Sequence, residues 1–207
     1  SPDTKQALAN SIKKSSFNDV MFSINQLLEE NQFGKGTVYL ETAYDALKSR
    51  QNTESDALFQ IEHQLALSYA IIGEYKNSVV FWKKVVDYSL ENKEQFSSED
   101  KIGFILNAAI SSREAHETEN FLTFSKQGLD SVVKNNLLDY EPSFLFEYAV
   151  FYSTQNEKTK ALEYFEQVLP LAQEVGNREG EATTLNNIGL VWSSFGEKRK
   201  ALDCYEQ

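Results

Sequence analysis

The sequence predicts an all-α chain, folded as a stack of antiparallel helix hairpins. Three observations carry that prediction. Apolar residues recur at helical spacing along the chain, and no stretch alternates in the manner of a strand. One arrangement of residues returns about every 40 positions, the period of a repeat architecture. Residues that tolerate a left-handed backbone stand where each hairpin must turn.

The clearest unit lies at the C-terminal end. Leu185, Ile188 and Trp192 share one helical face at spacings of three and four, Gly196 supplies a turn, and Ala201, Leu202 and Tyr205 begin a second stripe. Forty residues earlier, Leu145, Tyr148 and Tyr152 precede Asn156, and Ala161 and Phe165 follow it. A further 40 back the pattern is fainter, in Ala108, Ala109, His116 and Phe121. Another 43 back it reads Leu65, Ala66, Tyr69, Gly73, Ser78 and Trp82, and a last step of 39 reaches Gly34, preceded by Ile24, Leu27 and Leu28.

Two columns give the repeat a physical reason. The eighth position reads Leu27, Ala66, Ala109, Ala149 and Gly189, small in four of five cases, as two closely crossing helices require. The turn column reads Gly34, Gly73, His116, Asn156 and Gly196, all glycine or residues enriched at positive φ. The implied helices span 3–14, 17–31, 35–50, 54–71, 75–92, 99–114, 119–134, 142–154, 158–175 and 179–194, with a last one from 198 onward. Pro142 suits a first helical turn and Ser97 and Ser98 suit a helix cap, whereas Pro170 falls inside a helix and predicts a kink.

These boundaries divide one continuous solenoid into an N-terminal helical cap over 1–19 and units over 20–58, 59–101, 102–141, 142–181 and 182–207. The units over 20–58 and 102–141 are degenerate, and the last is truncated. The third unit departs most, with Phe121 where a small residue and Gly128 where a large one is expected. Gln207 falls in mid-hairpin, and the chain starts at Ser1-Pro2 with Met21 as its sole methionine, so a piece of a larger protein is expected.

Composition excludes several classes of function. Twenty Lys and Arg against 31 Asp and Glu give a formal net charge of −11, unsuited to a nucleic-acid backbone. The one short basic run, Lys198-Arg199-Lys200, reads as a solvated surface. No apolar run is long enough to span a membrane. Cys204, the sole cysteine, forbids an internal disulfide and fits a reducing, cytoplasmic setting. Two histidines and one cysteine assemble neither a catalytic triad nor a metal site, so no catalytic residue, metal or cofactor is assigned. Gly34-Lys35-Gly36-Thr37 lacks the upstream glycine and the hydroxyl residue directly after the lysine that a phosphate loop needs, and reads as a helix connector.

The string Gly176-Asn-Arg-Glu-Gly-Glu-Ala-Thr-Thr-Leu-Asn-Asn-Ile-Gly189, followed by Gly196 and Ala201, resembles the tetratricopeptide repeat family in its 40-residue, kinesin-light-chain-like and bacterial variant. The resemblance is strong over 142–207, moderate over 59–101 and weak over 20–58 and 102–141. It implies a right-handed superhelical solenoid, whose first helices line a concave groove that holds a protein or peptide segment. The sixth position of those helices reads Asn25, Gln64, Asn107, Glu147 and Asn187, all polar. An amide offers two donors and an acceptor, so such a column can hydrogen-bond an extended backbone without reading its sequence. The family uses an asparagine here in that way, and Asn107 and Asn187 inherit the role most directly. Glu147 would instead meet a basic group. Neighbouring positions for selectivity include His63, Arg113, Ser153, Thr183 and Asn186, with Arg113 the only fixed cation among them.

The expected function is therefore a protein-interaction module or adaptor that is not an enzyme. Its partner would be a protein or peptide, with a basic one favoured by the acidic charge, and its oligomeric state is left open. Two alternatives stand beside it. One is a signal-peptide-binding regulator; the other is the regulatory arm of a larger enzyme, such as a caspase-like protease or a histidine kinase.

Overall fold

Left-handed residues punctuate the chain at Asn31, Gly73, His116, Asn136, Asn156, Gly176 and Gly196, with φ between 55° and 84°. After each, the next backbone N–H donates to a carbonyl five residues back, as Glu74 does to Tyr69 at 2.8 Å and Glu157 to Tyr152 at 2.9 Å. This closes the orphan carbonyls of one helix and aims the chain into the next. Asn and His stand in for glycine because they enter this backbone region at the least cost.

The structure, a computed structural model, describes residues 2–49 and 55–207. Among these the helices are α1 (Pro2–Lys14), α2 (Phe17–Glu29), α3 (Phe33–Lys48), α4 (Ser55–Ile71), α5 (Tyr75–Glu91) and α6 (Ser98–Glu114). They continue with α7 (Thr118–Asn135), α8 (Glu141–Thr154), α9 (Lys158–Glu174), α10 (Arg178–Ser194) and α11 (Lys198–Tyr205), and a short 3-10 turn covers Leu138–Tyr140. The expected all-α, tetratricopeptide-type architecture is what forms. Residues 50 and 54, expected to end the third helix and start the fourth, lie outside the described residues. Ser97 caps α6 in a reciprocal box with Asp100, and Pro142 sits in the first turn of α8. Helix α9 continues through Pro170 for four more residues, so the proline does not end it. Near the helix end it forgoes a single hydrogen bond, and its ring is exposed.

The chain forms two compact units, Ser1–Thr118 and Glu119–Gln207. In the first, α1 and α2 pack on α3, α3 on α4, α4 on α5 and α5 on α6. Ile12, Ile24, Leu40, Ile61 and Leu65 fill its core, each no more than 1% exposed. A polar clamp ties three of its helices: the Tyr44 hydroxyl and the Lys84 ammonium both donate to Glu62 Oε1, at 2.9 and 3.2 Å. In the second unit, α8 packs on α9, α9 on α10 and α10 on α11, around Ala149, Ala161, Phe165 and Ile188.

The turn of the first hairpin corrects the sequence reading. Its left-handed residue is Asn31, while Gly34 lies inside α3. The register there moves by three residues. Ile24, fully buried, takes the eighth position in place of Leu27, and buried Gly36 takes the place that Ser78, Ala161 and Ala201 hold in other hairpins.

The odd sizes in the third unit also find their reason. A Cβ on Gly128 would come within 2.2 Å of two Phe144 ring atoms, so α7 gives up a side chain to admit that ring. Phe121, also fully buried, stacks on Phe151 at 4.5 Å between centroids. Gly128→Ala should therefore cost about 1–3 kcal/mol by overpacking. Gly103→Ala, where an added Cβ meets nothing within 4 Å, should be neutral or gain up to about 1 kcal/mol. Urea unfolding of the two variants checks both; equal stabilities would contradict this packing.

Candidate functional site

The faces of the first helices that do not pack into their hairpins carry the candidate binding residues. Helical periodicity sets which residues these are. In α10, Leu185, Ile188 and Val191 are buried, while Thr183, Asn186 and Leu190 are exposed and Asn187 is half-buried. In α6, Ile102, Ile105, Ala108 and Ala109 are buried and Asn107 is exposed.

Asn107 and Asn187 have one geometry. Each Nδ2 donates to the carbonyl four residues back on its own helix, Gly103 O and Thr183 O respectively, at 2.8 Å in both. The amide is thereby held against the helix surface. Its oxygen and its second N–H are not used in that bond.

The other expected site residues differ. Gln64 is half-buried on α4, and Asn186 is exposed on α10. Asn25 is exposed on α2, but with the turn at Asn31 it stands six residues before the turn rather than nine. The equivalent of Asn107 there is Phe22, 72% exposed, so the five-member polar column loses its first member. Glu147 is only 8% exposed and does not present itself on an open face. Partly buried Phe146, Tyr148 and Val150 flank it in sequence on α8. Arg113 is not an open cation either: its side chain is 13% exposed and pairs with Glu114 at 2.9 Å.

His63 belongs to an aromatic cluster rather than to an open face. Its ring lies 5.2 Å from Phe104, 5.4 Å from Trp82 and 6.1 Å from Phe59, centroid to centroid. Burial among these rings lowers its pKa below the usual 6.5. In the second unit burial, with Tyr164 and Tyr152 adding to it, pushes the Tyr148 hydroxyl up to about 12. The three tyrosine rings stack within 18° of parallel.

Sequence reasoning missed the apolar residues beside the amides. Six positions before the turns at Gly73, His116, Asn156 and Gly196 stand Leu67, Ile110, Val150 and Leu190, and Leu190 is 55% exposed. The signal was the column itself, readable once the turns are aligned. Three cations of the second unit are engaged elsewhere. Lys160 lies over Tyr152 at 4.8 Å, Lys200 over Trp192 at 4.1 Å, and Lys158 donates to Ser194 O at 2.7 Å. Lys200, part of the basic run, is thus a packing residue. No helix among the described residues is long and apolar enough to cross a membrane.

Hairpins of this length, with small residues at their crossings and left-handed turns between them, define a helical repeat protein. Residues 143–207 match the family described as tetratricopeptide repeat. BtubC (BKLC) from P. vanneervenii has a similar fold, with a TM-score of 0.68 and 16% identity over 99% of this chain and 86% of that one. A protein from Podosopora anserina, described as a kinesin light chain with nearly identical TPR-like repeats, gives 0.65 and 16% over 91% of each chain. The Rap conjugation gene regulator of the plasmid pLS20, solved in complex with the Phr* peptide, gives 0.65 and 16%. That match covers 92% of this chain and 51% of the regulator, about half its length. At such identities the likeness is one of fold. No curated protein sequence matches.

The His63 environment makes a pH prediction. An unfolded histidine titrates near 6.5 and the folded one lower, so the unfolded chain binds more protons as pH falls. The stability from neutral His63 is complete above 6.5 and is lost as pH falls through the folded value. Urea unfolding at about pH 7.5 and about pH 5.5 should show a larger loss for the parent than for His63→Phe. Equal losses would place the imidazole in water.

Proposed function

We propose that this chain is a binding module that holds a protein or peptide segment against the exposed faces of its first helices, by contact rather than catalysis. The observation that carries the reading is the shared geometry of Asn107 and Asn187. Two asparagines at one repeat position, each turned onto its own helix with an identical 2.8 Å bond, keep polar capacity directed at a partner. Exposed or half-buried apolar residues beside them, Ile110 and Leu190, add area for a side chain to cover.

The likeness of fold to a regulator solved with the Phr* peptide supports a peptide-sized occupant. A second solved Rap protein, in complex with the competence and sporulation factor, supports the same view at 12% identity. A signal-peptide sensor is thus the second reading. The sole cysteine, Cys204, suits the cytoplasm as the place of action.

The test is affinity capture from native lysate by the immobilised parent and by Asn107→Ala and Asn187→Ala variants. Expected is one protein or peptide retained by the parent and depleted with at least one variant, while each variant keeps the parent's melting temperature. Equal capture by all three forms would remove the amides from the binding face. A retained short peptide that raises the melting temperature would favour the sensor over the adaptor.

A further inference from the structure

We infer that the exposed faces of α6 and α10 are each built for a segment that is both cationic and apolar, gripped through asparagine oxygens. This rests on the binding-module reading above and names the chemistry of the occupant.

The amide orientation is the first support. Asn107 Nδ2 and Asn187 Nδ2 each donate to a backbone carbonyl. A flipped amide would set its oxygen against that carbonyl, acceptor facing acceptor, so chemistry fixes which end is spent. One N–H of each amide is consumed, and the oxygen keeps both lone pairs. The pair therefore favours a partner rich in N–H groups.

Charge on the same helices is the second support. Glu99 of α6 and Glu179 of α10 are exposed, and each stands eight residues before its asparagine. Eight residues span about 12 Å of helix axis, within reach of one short segment lying along the face. At 100° per residue, Glu99 and Ile110, like Glu179 and Leu190, fall within about 20° of one another around the helix. The helix dipole accounts for an acid in a first turn, but it does not call for the exposed Leu190 or the half-buried Ile110 on the same stripe.

Acid, oxygen acceptor and apolar side chain thus occur together twice, once in each unit, at the same repeat positions. The chain's net charge of −11 adds a field that draws cations and repels an acidic segment. An anionic peptide would meet like charge at Glu99 and Glu179 and would offer the amide oxygens its backbone N–H groups but no cationic donor.

Two labelled peptides of equal length test this by fluorescence anisotropy, one alternating leucine and lysine, the other leucine and glutamate. The leucine–lysine peptide should bind the parent more tightly. Asn107→Ala and Asn187→Ala should each weaken it by about fivefold, the loss of one hydrogen bond to a charged or amide donor. Asn107→Asp and Asn187→Asp keep an acceptor and add charge, so they should bind at least as tightly as the parent. Glu179→Gln should weaken binding, with at most the small fall in melting temperature that losing an acid from a first turn brings.

Preference for the leucine–glutamate peptide, or binding of neither, overturns the inference. So does leucine–lysine binding that the alanine variants leave unchanged, because the cation then sits elsewhere. If the aspartate variants weaken binding as the alanine variants do, the amides act through their N–H groups. That result overturns the inference and leaves the binding-module reading standing.

Discussion

The close approach of paired helices is the constraint on which the rest of the structure depends. In three hairpins the first helix meets its partner through a small residue: Ala66 and Ala149 are fully buried, and a Cβ on Gly189 would come within 2.4 Å of the Tyr205 ring. On the facing helix stand Ser78, Ala161 and Ala201. The Ser78 hydroxyl donates to the Ala66 carbonyl at 2.8 Å, so backbone and side chain touch across that seam. Helices at such distance bury nearly all of the apolar stripe between them, which supplies most of the stabilisation available to a hairpin.

The proposed binding face follows from that burial. A helix that commits Ile105, Ala108 and Ala109 inward must turn Asn107 and part of Ile110 outward. The same holds for Ile188 and Gly189 against Asn187 and Leu190. The hairpin thereby presets the direction of each amide, and the fold-back onto the preceding turn narrows its rotamers before any partner arrives. Less side-chain entropy then remains to be lost on binding.

Much of the fold was legible because its demands are local. Helical spacing and a residue able to adopt positive φ located His116 and Asn156 as turns without any glycine. The first turn misled because two glycines, Gly34 and Gly36, outweighed Asn31 as signals. Glycine serves both a left-handed backbone and a close approach, and a lone sequence does not say which; buried Gly36 serves the second. The exchange of sizes at Phe121, Gly128 and Phe144 was visible as an anomaly, but its resolution needed the ring in place. The site was less legible. Glu147 shares a column with exposed and half-buried amides yet is buried, because exposure depends on neighbours on other elements. Nor does sequence state which end of an asparagine amide is spent.

Hydrogen exchange on Ala149→Leu tests the close-approach account most directly. Ala149 is fully buried with Ala161, Phe165 and Ile188 around it. The account predicts that the added bulk parts α8 from α9, so that amides in the middle of both helices lose most of their protection. Protection and urea midpoint unchanged from the parent would contradict it, since the seam would then have room that a small-residue crossing does not leave.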